Sequence, residues 1–154
     1  MVVLIADALA ETARATIQAS GHEVIYEPSL KAETLTEQLR QLDPAVLIVR
    51  STKVTAADLA ASPGLELIVR AGAGVDSIDV AEASRRGVFV ANCPGKNATA
   101  VAELAFGLLL ALDRRIPDNV QEARAGRWNK KGFASGLGLY GQTLGLIGLG
   151  SIGR

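Results

Sequence analysis

Five short apolar runs, each separated from the next by a stretch of helical spacing, constrain this chain more than any other feature. Val2–Ala6 is the first run, and residues 8–19 after it read as a helix with Gly21 just past its end. His22–Tyr26 is the second run, followed by residues 31–42, which put Leu35, Leu39 and Leu42 on one helical face. Val46–Val49 is the third. Thr55 followed by Asp58 has the form of a capping box, with Asp where Glu is usual, and predicts a short helix ended near Pro63. Leu65–Val69 is the fourth run. Asp79 predicts the cap of the next helix, Gly87 its close, and Val88–Ala91 the fifth strand. Runs that are apolar throughout, rather than alternating, predict strands buried on both sides. Their alternation with helices predicts a parallel sheet covered on both faces, with right-handed crossovers and strand order 2-1-3-4-5.

The pattern changes at Asn92-Cys93-Pro94-Gly95. A helix is predicted from about Asn97 to Asp113, apolar nearly all round, so something must bury it. Pro117 starts another, closed by Gly126. Gly132–Gly141 holds four glycines and reads as loop, and Thr143–Ile147 reads as a strand. Residues 1–96 therefore form one unit, and residues 97–154 a long helix and the opening of a second.

Composition narrows the classes. An apolar fraction of 49% permits a sizeable core, and sixteen basic residues balance sixteen acidic ones. No overall basic field marks a nucleic-acid or membrane partner. Cys93 is the one cysteine, so no internal disulfide forms and a reducing, cytoplasmic setting is the default. Val2–Ala6 is too short for the apolar region of a signal peptide, and Ala98–Leu112 contains Glu103 and falls short of a membrane span.

Two groups of residues carry candidate chemistry. Gly148-x-Gly150-x-x-Gly153 follows a predicted strand, as a dinucleotide fingerprint does, with Gly148 for a tight turn, Gly150 for close approach of a pyrophosphate and Gly153 for helix–strand packing. An ordinary glycine-rich turn is the alternative. The second group lies where strands three and four end: Arg50-Ser51-Thr52-Lys53 and Arg70-Ala71-Gly72-Ala73-Gly74-Val75-Asp76. In a doubly wound sheet ligands sit at that edge, and two arginines with glycine-flanked amides suit a carboxylate or phosphate. The alternative is a tight loop with surface arginines in local ion pairs. Cys93 lacks a histidine partner and reads as a loop residue. His22, the single histidine, reads as part of a helix-to-strand turn, and Trp128 as a surface clamp. No metal-ligand set stands out.

Taken together, these motifs resemble the D-2-hydroxyacid dehydrogenases. Val49–Thr55 looks like that family's first substrate loop and Arg70–Asp76 like its second. Asn97 with Val101-Ala102-Glu103-Leu104 is similar to the start of its interdomain helix, and Gly141–Gly145 leads into Gly148–Arg154 as it does there. The likeness is greatest to the D-3-phosphoglycerate dehydrogenase branch. It implies a flavodoxin-like, doubly wound α/β substrate domain over residues 1–96. Residues 97–154 would then hold the interdomain helix and the first strand and glycine loop of a Rossmann NAD-binding domain. It implies NAD as cofactor, a small anionic 2-hydroxy or 2-oxo acid as ligand (3-phosphoglycerate, in serine biosynthesis), and a homodimer or higher homo-oligomer. By resemblance, Arg50, Ser51 and Arg70 hold acidic groups of the substrate. The backbone around Gly72 to Gly74 takes the α-carboxylate, and Ala73 also touches the cofactor. Gly148, Gly150, Ser151, Ile152 and Gly153 lie on the pyrophosphate. Two branches remain open beside it: a glyoxylate or hydroxypyruvate reductase, and a non-catalytic NAD-sensing protein on the same fold. The chain departs from the pattern at Lys130, where the family commonly has Arg, and between Ser51 and Thr52, where it often has one residue more. The family's catalytic Arg, Glu and His correspond to no position up to Arg154. No catalytic residue is assigned, and the chain alone is expected to be inactive.

Overall fold

The computed structural model describes the backbone throughout residues 1–154 and every side chain except that of Ala32. It divides into two compact units, Met1–Lys96 and Asn97–Arg154.

The first unit is a five-stranded parallel sheet. Its elements run β1 (Val2–Ile5), α1 (Glu11–Ala19), β2 (Glu23–Tyr26), α2 (Ala32–Leu42), β3 (Val46–Val49), α3 (Ala56–Ala61), β4 (Leu67–Arg70), α4 (Val80–Arg85) and β5 (Phe89–Ala91). The strand order is β2-β1-β3-β4-β5, all pairs parallel, as the alternation predicts. Strand period two divides the core. Leu4, Leu47, Val49 and Ile68 pack on one face with Leu35 and Leu39 of α2, Leu59 of α3 and Ala83 of α4. Val3, Ile5, Val46 and Ile48 face the other way, against Leu9 and Ile17 of the α1 side. Three helices thus cover one face and a single helix the other. The second face is less enclosed than uniformly apolar strands predict, and Phe89 on edge strand β5 is exposed.

Local signals place the turns. Asp58 accepts from the Thr55 amide at 2.8 Å and completes the reciprocal cap of α3. Asp79 accepts from the Glu82 amide at 2.9 Å and caps α4. Gly87, at φ +75°, turns the chain from α4 into β5, a conformation that favours glycine. The fourth strand begins two residues later than its apolar run: Leu65 is buried but lies ahead of the ladder, and Arg70 ends it.

The second unit holds α5 (Ala98–Asp113) and α6 (Ile116–Arg124). Its all-apolar surface calls for a covering partner, and within this unit α5 is left largely uncovered: Ala98 is its one buried residue, and Leu112 is 77% exposed. Asp113 accepts from the Gly138 amide at 3.0 Å and anchors the glycine-rich loop that follows α6. The strand expected over Thr143–Ile147 does not form. The segment is without regular structure, because a parallel strand exists only through ladder bonds to neighbours and none pairs with it among the described residues.

Candidate functional site

All five strands run the same way, so the segments that follow β1, β3, β4 and β5 leave the sheet at one edge. Arg50, Ser51, Arg70, Gly72, Ala73 and Gly74 come together there. Val49 and Arg70 are register partners, which sets the two candidate loops side by side.

The loop after β3 is built around a residue that sequence reasoning passed over. Asp7 follows β1, and one of its carboxylate oxygens, Oδ2, accepts from the amides of Arg50 (2.7 Å), Ser51 (3.1 Å) and Thr52 (2.9 Å). The other, Oδ1, accepts from the Ser51 hydroxyl at 3.0 Å. Burial pushes the Asp7 carboxyl up, but the bonds from Arg50, Thr52 and Ser51 outweigh it and hold the group below its ordinary value. An acidic residue directly after the first apolar run was the available signal.

The loop after β4 is held by Arg70. Its Nε donates to the Arg50 carbonyl at 3.1 Å and its Nη1 to the Gly74 carbonyl at 3.0 Å, so the guanidinium straps the two loops together. The side chain is only 19% exposed, and Nη2 lies 3.9 Å from Asp76, whose own side chain is 86% exposed. Arg70 therefore offers an incoming anion only Nη2, which already faces the Asp76 carboxylate, rather than an open fork. The two glycines make room for it. A Cβ on Gly72 would lie 2.9 Å from Nη1, and one on Gly74 would lie 3.3 Å from it. Asn92, after β5, donates to the Ala73 carbonyl at 2.7 Å, and the Cys93 amide donates to the Gly72 carbonyl at 2.9 Å. Downstream, Val54 bridges Ile78, closing the far ends of both loops.

The two loops differ in what they leave open. The amides of the first are occupied by Asp7. Those of Ala73, Gly74 and Val75 find no acceptor among the described residues, and Arg50, Ser51 and Lys53 are exposed beside them. The edge thus presents free amide donors and cationic side chains together, a setting for a small carboxylate or phosphate. His22 precedes β2 at the opposite edge, where Glu23 pairs with Val2, so no imidazole reaches the loops. Cys93 is exposed. No cluster of three or more His, Cys, Asp or Glu suited to a metal ion occurs among the described residues.

Gly148, Gly150, Ser151, Ile152 and Gly153 lie in the second unit as an exposed turn. Gly148 adopts φ +94°, and a Cβ on Gly153 would lie 2.6 Å from the Gly148 carbonyl oxygen, so both glycines are required by the turn itself. Nothing crowds Gly150. The strand before the turn is not formed among the described residues.

An open parallel α/β sheet with a pair of arginine- and glycine-bearing loops at its carboxyl edge is the architecture of a small-molecule-binding α/β domain. Residues 3–145 match the model of the D-isomer specific 2-hydroxyacid dehydrogenase catalytic domain, and the chain belongs to that family. It is 42% identical over 153 residues to the D-3-phosphoglycerate dehydrogenase of Rattus norvegicus, an alignment covering 99% of this chain and 28% of the relative. It is 46% identical over 126 residues to the hydroxypyruvate reductase of Thermotoga maritima, covering 81% of this chain and 40% of the relative. The NAD+-bound 3-phosphoglycerate dehydrogenase of Entamoeba histolytica superposes with a TM-score of 0.64 at 34% identity, over 72% of this chain and 38% of that one. The chain thus spans well under half the length of these relatives.

Proposed function

We propose that residues 1–96 read the substrate of an NAD-dependent oxidoreductase of D-2-hydroxy acids, with D-3-phosphoglycerate as the substrate, in serine biosynthesis. The observation that carries this reading is the pairing of unoccupied amides at Ala73, Gly74 and Val75 with the exposed Arg50 and the partly free Arg70. The amides suit the α-carboxylate, which is common to all 2-hydroxy acids. Arg50, with Lys53 beside it, suits the additional charge of a phosphate group. Ser51 completes the pocket wall, and Ala73 faces the cofactor. In the second unit Gly148, Gly150, Ser151, Ile152 and Gly153 would hold the pyrophosphate of NAD, which when bound supplies the hydride acceptor. Residues 97–154 hold the interdomain helix and the opening of the cofactor domain, and a homodimer or higher homo-oligomer is the expected assembly.

Titration of the isotope-labelled chain with D-3-phosphoglycerate, D-glycerate and hydroxypyruvate, followed by amide shifts, tests the reading. The amides of Ala73–Val75 should move with all three. D-3-phosphoglycerate should bind more tightly than D-glycerate by roughly tenfold, the worth of one charge-assisted contact to phosphate. The Thermotoga maritima relative favours a second reading, reduction of hydroxypyruvate. Equal affinity for phosphorylated and unphosphorylated acids would support that reading instead. Shifts confined to residues outside the two loops would refute both.

A further inference from the structure

We propose that Asp7 is a positioning residue for substrate binding, acting as a built-in anion that shapes the Arg50–Thr52 loop; this rests on the reading of that loop as a substrate loop. Three consecutive amides converging on one oxygen form a concave cradle of the kind that takes a ligand anion in other loops. Here the chain fills the cradle itself, at 2.7, 3.1 and 2.9 Å. The arrangement has two chemical consequences.

The first concerns which groups meet the ligand. With its amides occupied, the Arg50–Thr52 loop presents no backbone donor outward, so recognition there falls to the Arg50 and Lys53 side chains. The backbone bent around Asp7 directs where they start. Without the carboxylate, three N–H groups lose their acceptor, and the loop must be ordered anew each time a ligand binds. The second concerns Ser51. A hydroxyl has one proton, and the 3.0 Å bond to Asp7 Oδ1 uses it. Toward a ligand Ser51 Oγ is therefore an acceptor, which suits a substrate hydroxyl rather than an anionic oxygen. Asp7 thus fixes both the shape of the loop and the hydrogen-bond sense of its serine.

Binding of D-3-phosphoglycerate to the full chain and to two variants tests this, with sodium formate as a probe. Asp7→Ala empties the cradle, and affinity should fall by roughly tenfold, as expected for a loop that has lost its charge-assisted bonds. Formate should then restore much of it by occupying the cradle. In the wild type formate can only compete, so it should weaken binding. Asp7→Asn keeps the shape but brings an N–H2 toward Ser51 and removes the charge. It should bind several-fold more weakly than the wild type, and formate should not rescue it, because the amide fills the space. Asp7→Asn also guards against a failure of Asp7→Ala to fold. Wild-type affinity in either variant, or formate acting alike on all three proteins, overturns the role of Asp7 and leaves the substrate reading standing. Absence of any binding to the wild type overturns both together.

Discussion

At the scale of single residues, a carboxylate that accepts three amides and a hydroxyl stabilises the fold only while it is ionised. The Asp7 carboxyl is held below its ordinary value of 3.8 by those bonds against the opposing effect of burial. A depressed folded value means that the unfolded chain takes up the proton first as pH falls. The contribution of Asp7 is then complete above the ordinary aspartate value. It declines as pH drops below 3.8 and is gone once pH has passed through the folded value. Thermal melts of the wild type and Asp7→Asn between neutral and acid pH check this. The gap between their melting temperatures should hold constant down to the ordinary aspartate range and narrow below it; a gap that widens with acid would contradict the assignment. Asp7 also marks where reading residues in order stops working. Asp79 was legible as a cap because its partner, Glu82, is three residues away. The partners of Asp7 lie 43 to 45 residues on and meet it only once β1 and β3 are paired. Arg70 shows the same limit. Its type suggested an anion fork, but its strap to the Arg50 and Gly74 carbonyls depends on strand register.

At the scale of elements, the helix α3 fixes the downstream end of the loop after β3, and Asp58 fixes α3. Asp58 is 2% exposed and accepts from the Thr55 amide, the Thr55 hydroxyl (2.7 Å) and the Thr36 hydroxyl of α2. The capping half of this was legible from Thr55 and Asp58. The tie to α2 was not, since it joins residues 22 apart. Asp58→Ala leaves a part-buried amide and two hydroxyls without an acceptor. It should destabilise the first unit by about 1–3 kcal/mol, measured by urea unfolding. A change smaller than about 0.5 kcal/mol, the range of an ordinary surface substitution, would show that the cap is dispensable. The same scale explains the failed strand over Thr143–Ile147. Helices such as α5 carry their hydrogen bonds internally and form from local sequence. A parallel strand carries none, so an apolar run predicts it only where neighbours are present.

At the scale of the whole molecule, the order of the motifs along the chain was enough to point to the family, because each loop is placed by a strand whose apolar run is legible. Chemistry needs more than the motifs. Oxidation of a 2-hydroxy acid removes a hydride from carbon and a proton from the hydroxyl, and the proton needs an acceptor at the loop edge. His22 stands at the other end of β2, Asp7 is engaged by four hydrogen bonds from the loop after β3, and Asp76 at the edge faces the Arg70 guanidinium. The glycine turn at Gly148–Gly153 is exposed and has no paired strand before it among the described residues. A pyrophosphate arriving there would have to order the turn from its own binding free energy. The loops after β3 and β4 differ, since β1, β3, β4 and β5 already hold them. The chain by itself should therefore bind NAD with a dissociation constant of about 1 mM or weaker, and bind the acid measurably. It should form no NADH when given both. Calorimetric titration with NAD, then an absorbance assay with NAD and D-3-phosphoglycerate, separates these points. Micromolar NAD binding would mean that the turn is preorganised after all. NADH formation by this polypeptide would mean that a residue within it accepts the proton, and Asp76, the exposed carboxylate at that edge, would be the first to substitute.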